Sequence, residues 1–207
     1  MSTINRQFAI SGTLNTTLLK YVLAILSLAS LSVAHAHGVQ GGGFINGLMH
    51  PVFGPDHLLA MVAVGILSVQ IGGKALWTVP TAFVALMLLG GFLGMQEVPF
   101  PAVETGIAAS VLALGVALAS YKNLPVAAAM VFVGVFALFH GYAHGQEMPA
   151  IASPWLYAAG FVIATASLHI VGLLIGVIAH KIKNGDTLLR YTGAGIAGIG
   201  FAILTGI

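Results

Sequence analysis

Six apolar stretches, each long enough to cross a lipid bilayer, fill the chain from residue 44 to its end. They run near 44–71, 75–95, 102–120, 124–144, 154–180 and 187–207. A spanning helix needs roughly 20 apolar residues, and hydrocarbon tolerates only helices or closed barrels because no water is there to satisfy the backbone. No run alternates apolar and polar side chains over about ten positions, which argues against a barrel. The breaks are short: Gly72-Gly73-Lys74, Gln96 to Pro101, Tyr121-Lys122-Asn123, Gly145 to Ser153 and Lys181 to Asp186. Short connections place consecutive helices side by side and antiparallel. The pattern predicts an all-α membrane protein, a compact bundle of about six transmembrane helices.

Composition agrees with that class. Hydrophobic residues make up 58% of the chain and charged residues 6%, with a mean hydropathy of +1.03; a soluble domain carries about 25% charged residues. The formal charge of +2 is too small and too scattered to attract nucleic acid. The chain has no cysteine, which excludes disulfides and thiolate metal sites.

The first 36 residues read as a leader. Arg6 and Lys20 form a positive start, Tyr21 to Val33 an apolar run, and Ala34-His35-Ala36 a small-x-small cleavage site. Residues 1–36 are therefore expected to be a cleaved signal peptide, and residues 37–207 the six-helix domain. The alternative is an uncleaved first helix, for which the apolar run is short. Cleavage would leave His37 as the first residue, where an amine and an imidazole together suit the capture of a metal ion.

Basic residues set the expected orientation. Lys74, Lys122, Lys181, Lys183 and Arg190 fall at or beside alternate breaks, which the positive-inside rule assigns to the cytoplasm. Both ends of the mature chain are then extracytoplasmic. Trp77 and Tyr121 are expected near the inner interface, and Trp155 and Tyr157 near the outer one.

Against this apolar background a few polar residues stand out. His50, Asp56 and His57 lie in the first segment, where Pro51, Gly54 and Pro55 are expected to unwind the helix locally. In the fourth segment, Phe139 to Glu147 reads FHGYAHGQE, and a continued helix puts His140, His144 and Glu147 on one face. His169 and His180 share a face of the fifth segment about 16 Å apart. Ionisable groups at membrane depth suggest function by default. Simpler roles compete: His169 can bond a neighbouring helix, His180 suits a solvated helix end, Met61 suits the core, and Asp56 can cap a restarting helix. The spacings Gly90/Gly94, Gly141/Gly145 and Gly172/Gly176 favour close helix packing.

The run His50-Pro51-Val52-Phe53-Gly54-Pro55-Asp56-His57 resembles the HPxxGxDH signature of the HupE/UreJ family of nickel permeases, and FHGYAHGQE resembles that family's second characteristic stretch. The resemblance extends over essentially the whole mature chain, and implies a leader peptide, about six spans, and uptake of nickel or cobalt to supply hydrogenase, urease or cobalamin enzymes. The expected metal-handling residues are His37, His50, Asp56, His57, His140, His144, Glu147 and His169. The expected partners are a divalent ion, as transported substrate rather than prosthetic group, and the lipid of a bacterial-type inner membrane. Imidazole and carboxylate donors suit borderline first-row divalent ions. Gly73-Lys74 lacks the rest of a phosphate-binding loop, so no ATPase is evident in the chain, and facilitated diffusion or gradient coupling remains. Two other readings are an intramembrane zinc hydrolase, weakened by the lack of an HExxH motif, and a metal sensor or periplasmic donor, supported only by the histidine-bearing N-terminus.

Overall fold

The computed structural model describes residues 42–120, 124–148 and 153–207. Among them are seven helices and no strand: α1 (Gly43–Phe53), α2 (Pro55–Ile71), α3 (Ala75–Met95), α4 (Val103–Ser120), α5 (Val126–Gln146), α6 (Pro154–Lys181) and α7 (Gly185–Thr205). Five of these are long and apolar enough to cross a membrane. The pair α1 and α2, bent by 78° at their junction, makes a sixth span if counted as one. The chain is a multi-pass membrane protein. The expected leader and His37 lie outside the described residues.

The expected unwinding of the first segment is smaller than its two prolines imply. The chain stays helical through Pro51 to Phe53, and only Gly54 leaves the helix, with φ −82° and ψ 109°. Pro51 lacks an N–H and so gives the Gly47 carbonyl no partner one turn back, but it does not end the helix. Gly54 donates its N–H to the His50 carbonyl at 3.1 Å and accepts from Leu58 at 2.8 Å. Pro55 then opens α2 at its first position, where a missing N–H costs nothing. One residue turns the chain.

Glycines set the closest helix contacts. A Cβ on Gly141 of α5 would overlap the Met87 carbonyl of α3, and one on Gly94 of α3 would overlap the Tyr142 carbonyl of α5. Along α6, Gly160 lies against the Phe44 carbonyl of α1, and Gly172 against the Val62 carbonyl of α2. In α4, Gly115 meets the Ala197 backbone of α7. The expected glycine spacing thus serves packing, as small residues do between membrane helices. Phe83, Met87, Met61, Leu67, Leu114 and Leu118 fill the centre, while Phe92, Ile178 and Phe201 are exposed. Surfaces that apolar belong against lipid rather than water.

Side-chain bonds sort the two ends of the bundle. At one end, Tyr142 donates its O–H to the Val98 carbonyl at 2.8 Å. At the other, Gln70 donates to Leu118 at 3.3 Å and Arg190 to Ala119 at 2.9 Å. Trp77 and Trp155 are exposed at opposite ends, as an aromatic belt requires. Tyr157 shares the first turn of α6 with Trp155, with its side chain buried and its backbone carbonyl against Gly47 of α1. Tyr121 lies outside the described residues.

Candidate metal centre

Four imidazoles meet where the bend between α1 and α2 approaches the end of α5. His50 comes from the last turn of α1, His57 from the first turn of α2, and His140 and His144 from successive turns of α5. The ring centroids of His50 and His144 are 4.4 Å apart, those of His57 and His144 4.5 Å, and those of His57 and His140 4.6 Å. The bend brings this about. A straight first segment would carry His50 and His57 along one axis, and the turn at Gly54 folds both onto α5.

Two carboxylates join the rings. His50 Nε2 lies 3.0 Å from Glu147 Oε2. Donor atoms of His50, His144 and Glu147 all fall within 4.8 Å of one another. Donors about 2.1 Å from a shared ion stand at most about 4.2 Å apart, so a small inward movement completes a three-donor set. Glu147 sits just past α5, and the hydrogen bond from His50 holds its carboxyl below the usual carboxylate range, against a burial that pushes it up.

Asp56 is turned toward its neighbour. Its Oδ1 accepts from His57 Nδ1 at 2.8 Å and from the His57 backbone N–H at 2.8 Å. Gly54 at the N-cap of α2 has no side chain to offer, so Asp56 does two things at once: it takes a first-turn backbone N–H, as a capping residue would, and it orients the His57 imidazole. With Nδ1 engaged, His57 Nε2 is left buried and without a partner among the described residues. Gly54 leaves room for this pair, since a Cβ there would stand 3.1 Å from Asp56 Oδ1 and 3.3 Å from His57 Nδ1.

Six buried imidazole nitrogens have no hydrogen-bond partner among the described residues: His57 Nε2, His140 Nδ1, and both nitrogens of His144 and of His169. Each such group costs roughly 1–3 kcal/mol in a buried site, and native interiors carry few of them. Groups that can bind a cation are the exception with a reason.

His169 stands apart from the cluster. It lies on α6, with the Phe83 ring of α3 perpendicular to it at 5.1 Å; the same ring is 5.9 Å from His140. The simple role of a hydrogen bond to a neighbouring helix is not seen, because neither His169 nitrogen has a partner among the described residues. His180 pairs with Asp186 at 2.7 Å at the half-exposed far end. Met61 is wholly buried, as core packing requires.

Two residues beside these rings were not singled out from the sequence. Ser110 of α4 lies 2.8 Å from His140 Nε2, and the Phe83 ring neighbours both His140 and His169. Ser110 has one visible sign, being the only hydroxyl in the apolar run Ile107 to Ala119. Phe83 has none.

The family model described as HupE / UreJ protein matches residues 23–203. The chain belongs to the HupE/UreJ family. A relative in that family, Protein HupE of Rhizobium leguminosarum bv. viciae, is 43% identical over 188 residues, which cover 90% of this chain and 98% of the relative. No solved structure matches. Within this HupE/UreJ chain, the two motif stretches, 50–57 and 139–147, are the segments that meet in the cluster.

Proposed function

We propose that the protein imports a divalent first-row metal ion, nickel or cobalt, across the cytoplasmic membrane. One observation carries the reading: His50, His144 and Glu147 offer donor atoms within 4.8 Å of one another, beside the buried, unpartnered nitrogens of His57 and His140. Nitrogen and oxygen donors of this kind suit nickel and cobalt. Asp56 and Glu147 supply negative charge that offsets the cost of bringing a dication into low dielectric.

The ion arrives at the end bearing Glu147, which the positive-inside rule makes extracytoplasmic, with His37 of the processed chain as first collector. His50, Glu147 and His144 replace part of its water shell. His57 and His140 take it deeper, with Asp56 holding His57 in place and supplying charge. His169 lies beyond Phe83 and offers a single nitrogen donor. Several modest steps favour conduction, since one very tight site would retain the ion.

The test is radioactive nickel uptake into proteoliposomes holding only the purified protein. Uptake above empty vesicles, reduced by His50→Ala and by His144→Ala, is the expected result. Nickel binding without uptake would instead indicate a sensor or donor, and an intramembrane hydrolase would need a substrate that the assay does not contain.

A further inference from the structure

Ser110 is wholly buried in α4, and among the described residues its Oγ has two hydrogen-bonding neighbours. The Ile107 carbonyl is 2.6 Å away and His140 Nε2 is 2.8 Å away. A hydroxyl has one hydrogen to give. The carbonyl can only accept, and two oxygens at that distance without a hydrogen between them would repel. The serine hydrogen therefore goes to Ile107, and Oγ accepts from His140. That requires the hydrogen on Nε2 of the imidazole.

A neutral imidazole carries one N–H, so Nδ1 of His140 bears a free lone pair. Adding a second proton there would create a charged donor, and Nδ1 is buried with no acceptor among the described residues. Such a donor is costly to bury. The lone pair belongs to the same group of rings as His57, whose centroid is 4.6 Å away.

We infer that Ser110 is a positioning residue for metal transfer: it fixes His140 as the Nε2–H tautomer and so presents Nδ1 to the ion. This rests on reading the cluster as a metal path. His57 is set by the same device with the nitrogens exchanged. Asp56 accepts from its Nδ1, and Nε2 is the unpartnered atom. Two neighbouring rings thus offer unlike nitrogens, each fixed from behind by an oxygen. An outer partner of this type orients the ring and raises its basicity, and its loss commonly costs 10–100-fold in metal affinity.

The experiment uses the full chain, metal-free in detergent, with ¹⁵N-labelled histidine. The His140 signals are assigned by their loss in His140→Ala. Wild type should show a protonated Nε2 and a bare Nδ1, and Ser110→Ala should show a mixture of tautomers. Nickel affinity should fall 10–100-fold in Ser110→Ala, and Ser110→Ala should add no loss in a His140→Ala background. Ser110→Cys, which keeps a weak acceptor, should lie between wild type and Ser110→Ala.

A bare Nε2 in wild type overturns the inference without any variant having to fold. Unchanged nickel affinity in a folded Ser110→Ala protein overturns the positioning role alone. A wild-type protein that binds no nickel overturns the reading of the cluster, and the role of Ser110 with it.

Discussion

Glu147 holds Nε2 of His50 at 3.0 Å, so one carboxylate ties the last turn of α1 to the end of α5. An ionised carboxylate only accepts hydrogen bonds, which places a hydrogen on that nitrogen. A cation that binds His50 there requires that hydrogen to move to Nδ1, and a ring carrying hydrogens on both nitrogens has no lone pair left for metal.

Uptake should therefore fall as the outer medium is acidified from pH 7.5 to 5.5, because ligating imidazoles must be free of the competing proton. Glu147 does not cause this loss. Its carboxyl is held below the usual range, so its contribution is complete above the ordinary carboxylate pKa and disappears only as pH falls through the lowered one. Glu147→Gln should reduce uptake at pH 7.5 about tenfold or more, the scale of losing a charged hydrogen-bonding group. The acid loss should persist in that variant. A flat pH profile in Glu147→Gln would assign the acid effect to the carboxylate instead.

Asp56→Asn keeps an acceptor for His57 but removes the negative charge. Initial nickel uptake should drop by about 10–100-fold at matched membrane expression. Asp56→Glu should also fail, because the longer side chain displaces the oxygen beside the crowded Gly54. If aspartate acted only as a helix cap, asparagine would substitute well, so a transport-competent Asp56→Asn protein would sink the assignment.

His169→Ala should slow transport while leaving nickel binding at the outer cluster within about twofold, since its ring is separate from the four clustered ones. His180→Ala should change neither quantity, because it pairs with Asp186 at a half-exposed end and such pairs contribute about 0–1 kcal/mol. Equal wild-type rates for both variants would confine the path to the outer cluster.

Gly141→Ala should destabilise the protein by about 1–3 kcal/mol, the usual effect of forcing atoms into a filled space. A methyl there overlaps the Met87 carbonyl, whereas Gly195 has open space around it. Thermal unfolding in detergent should separate Gly141→Ala from wild type and leave Gly195→Ala at or above it.

Purified protein from a membrane extract should begin at His37. The intact mass should be lower than that of the full chain by about 3.5–4 kDa, the weight of a removable leader of this length. A mass that includes residues 1–36 would remove the amine and imidazole of His37 as a collector.

The helices were legible because their apolar lengths match a bilayer and glycine, proline and lysine mark the breaks. α3, expected at 75–95, occupies Ala75–Met95. The cluster was legible as two groups, since His50 with Asp56-His57, and His140 with His144 and Glu147, are each local in sequence. That the groups meet depends on a bend at one residue, and the sequence offered three candidates for it. Pro51 proved compatible with a continuing helix, so the breadth of the break was misjudged. The contact between Ser110 and His140 joins residues 30 apart on different helices, and helical periodicity says nothing about which hydroxyl a neighbouring helix will meet.

The glycine contacts also divide the donors between two firmly joined bodies. α3 and α5 are locked by Gly94 and Gly141, and α6 is locked to α1 and α2 by Gly160 and Gly172. His50 and His57 ride on one body, and His140, His144 and Glu147 on the other. An ion that draws donors from both acts as a rivet across the seam. On the proposed function the cargo would then be a mechanical part while it is aboard, fastening one group of helices to the other.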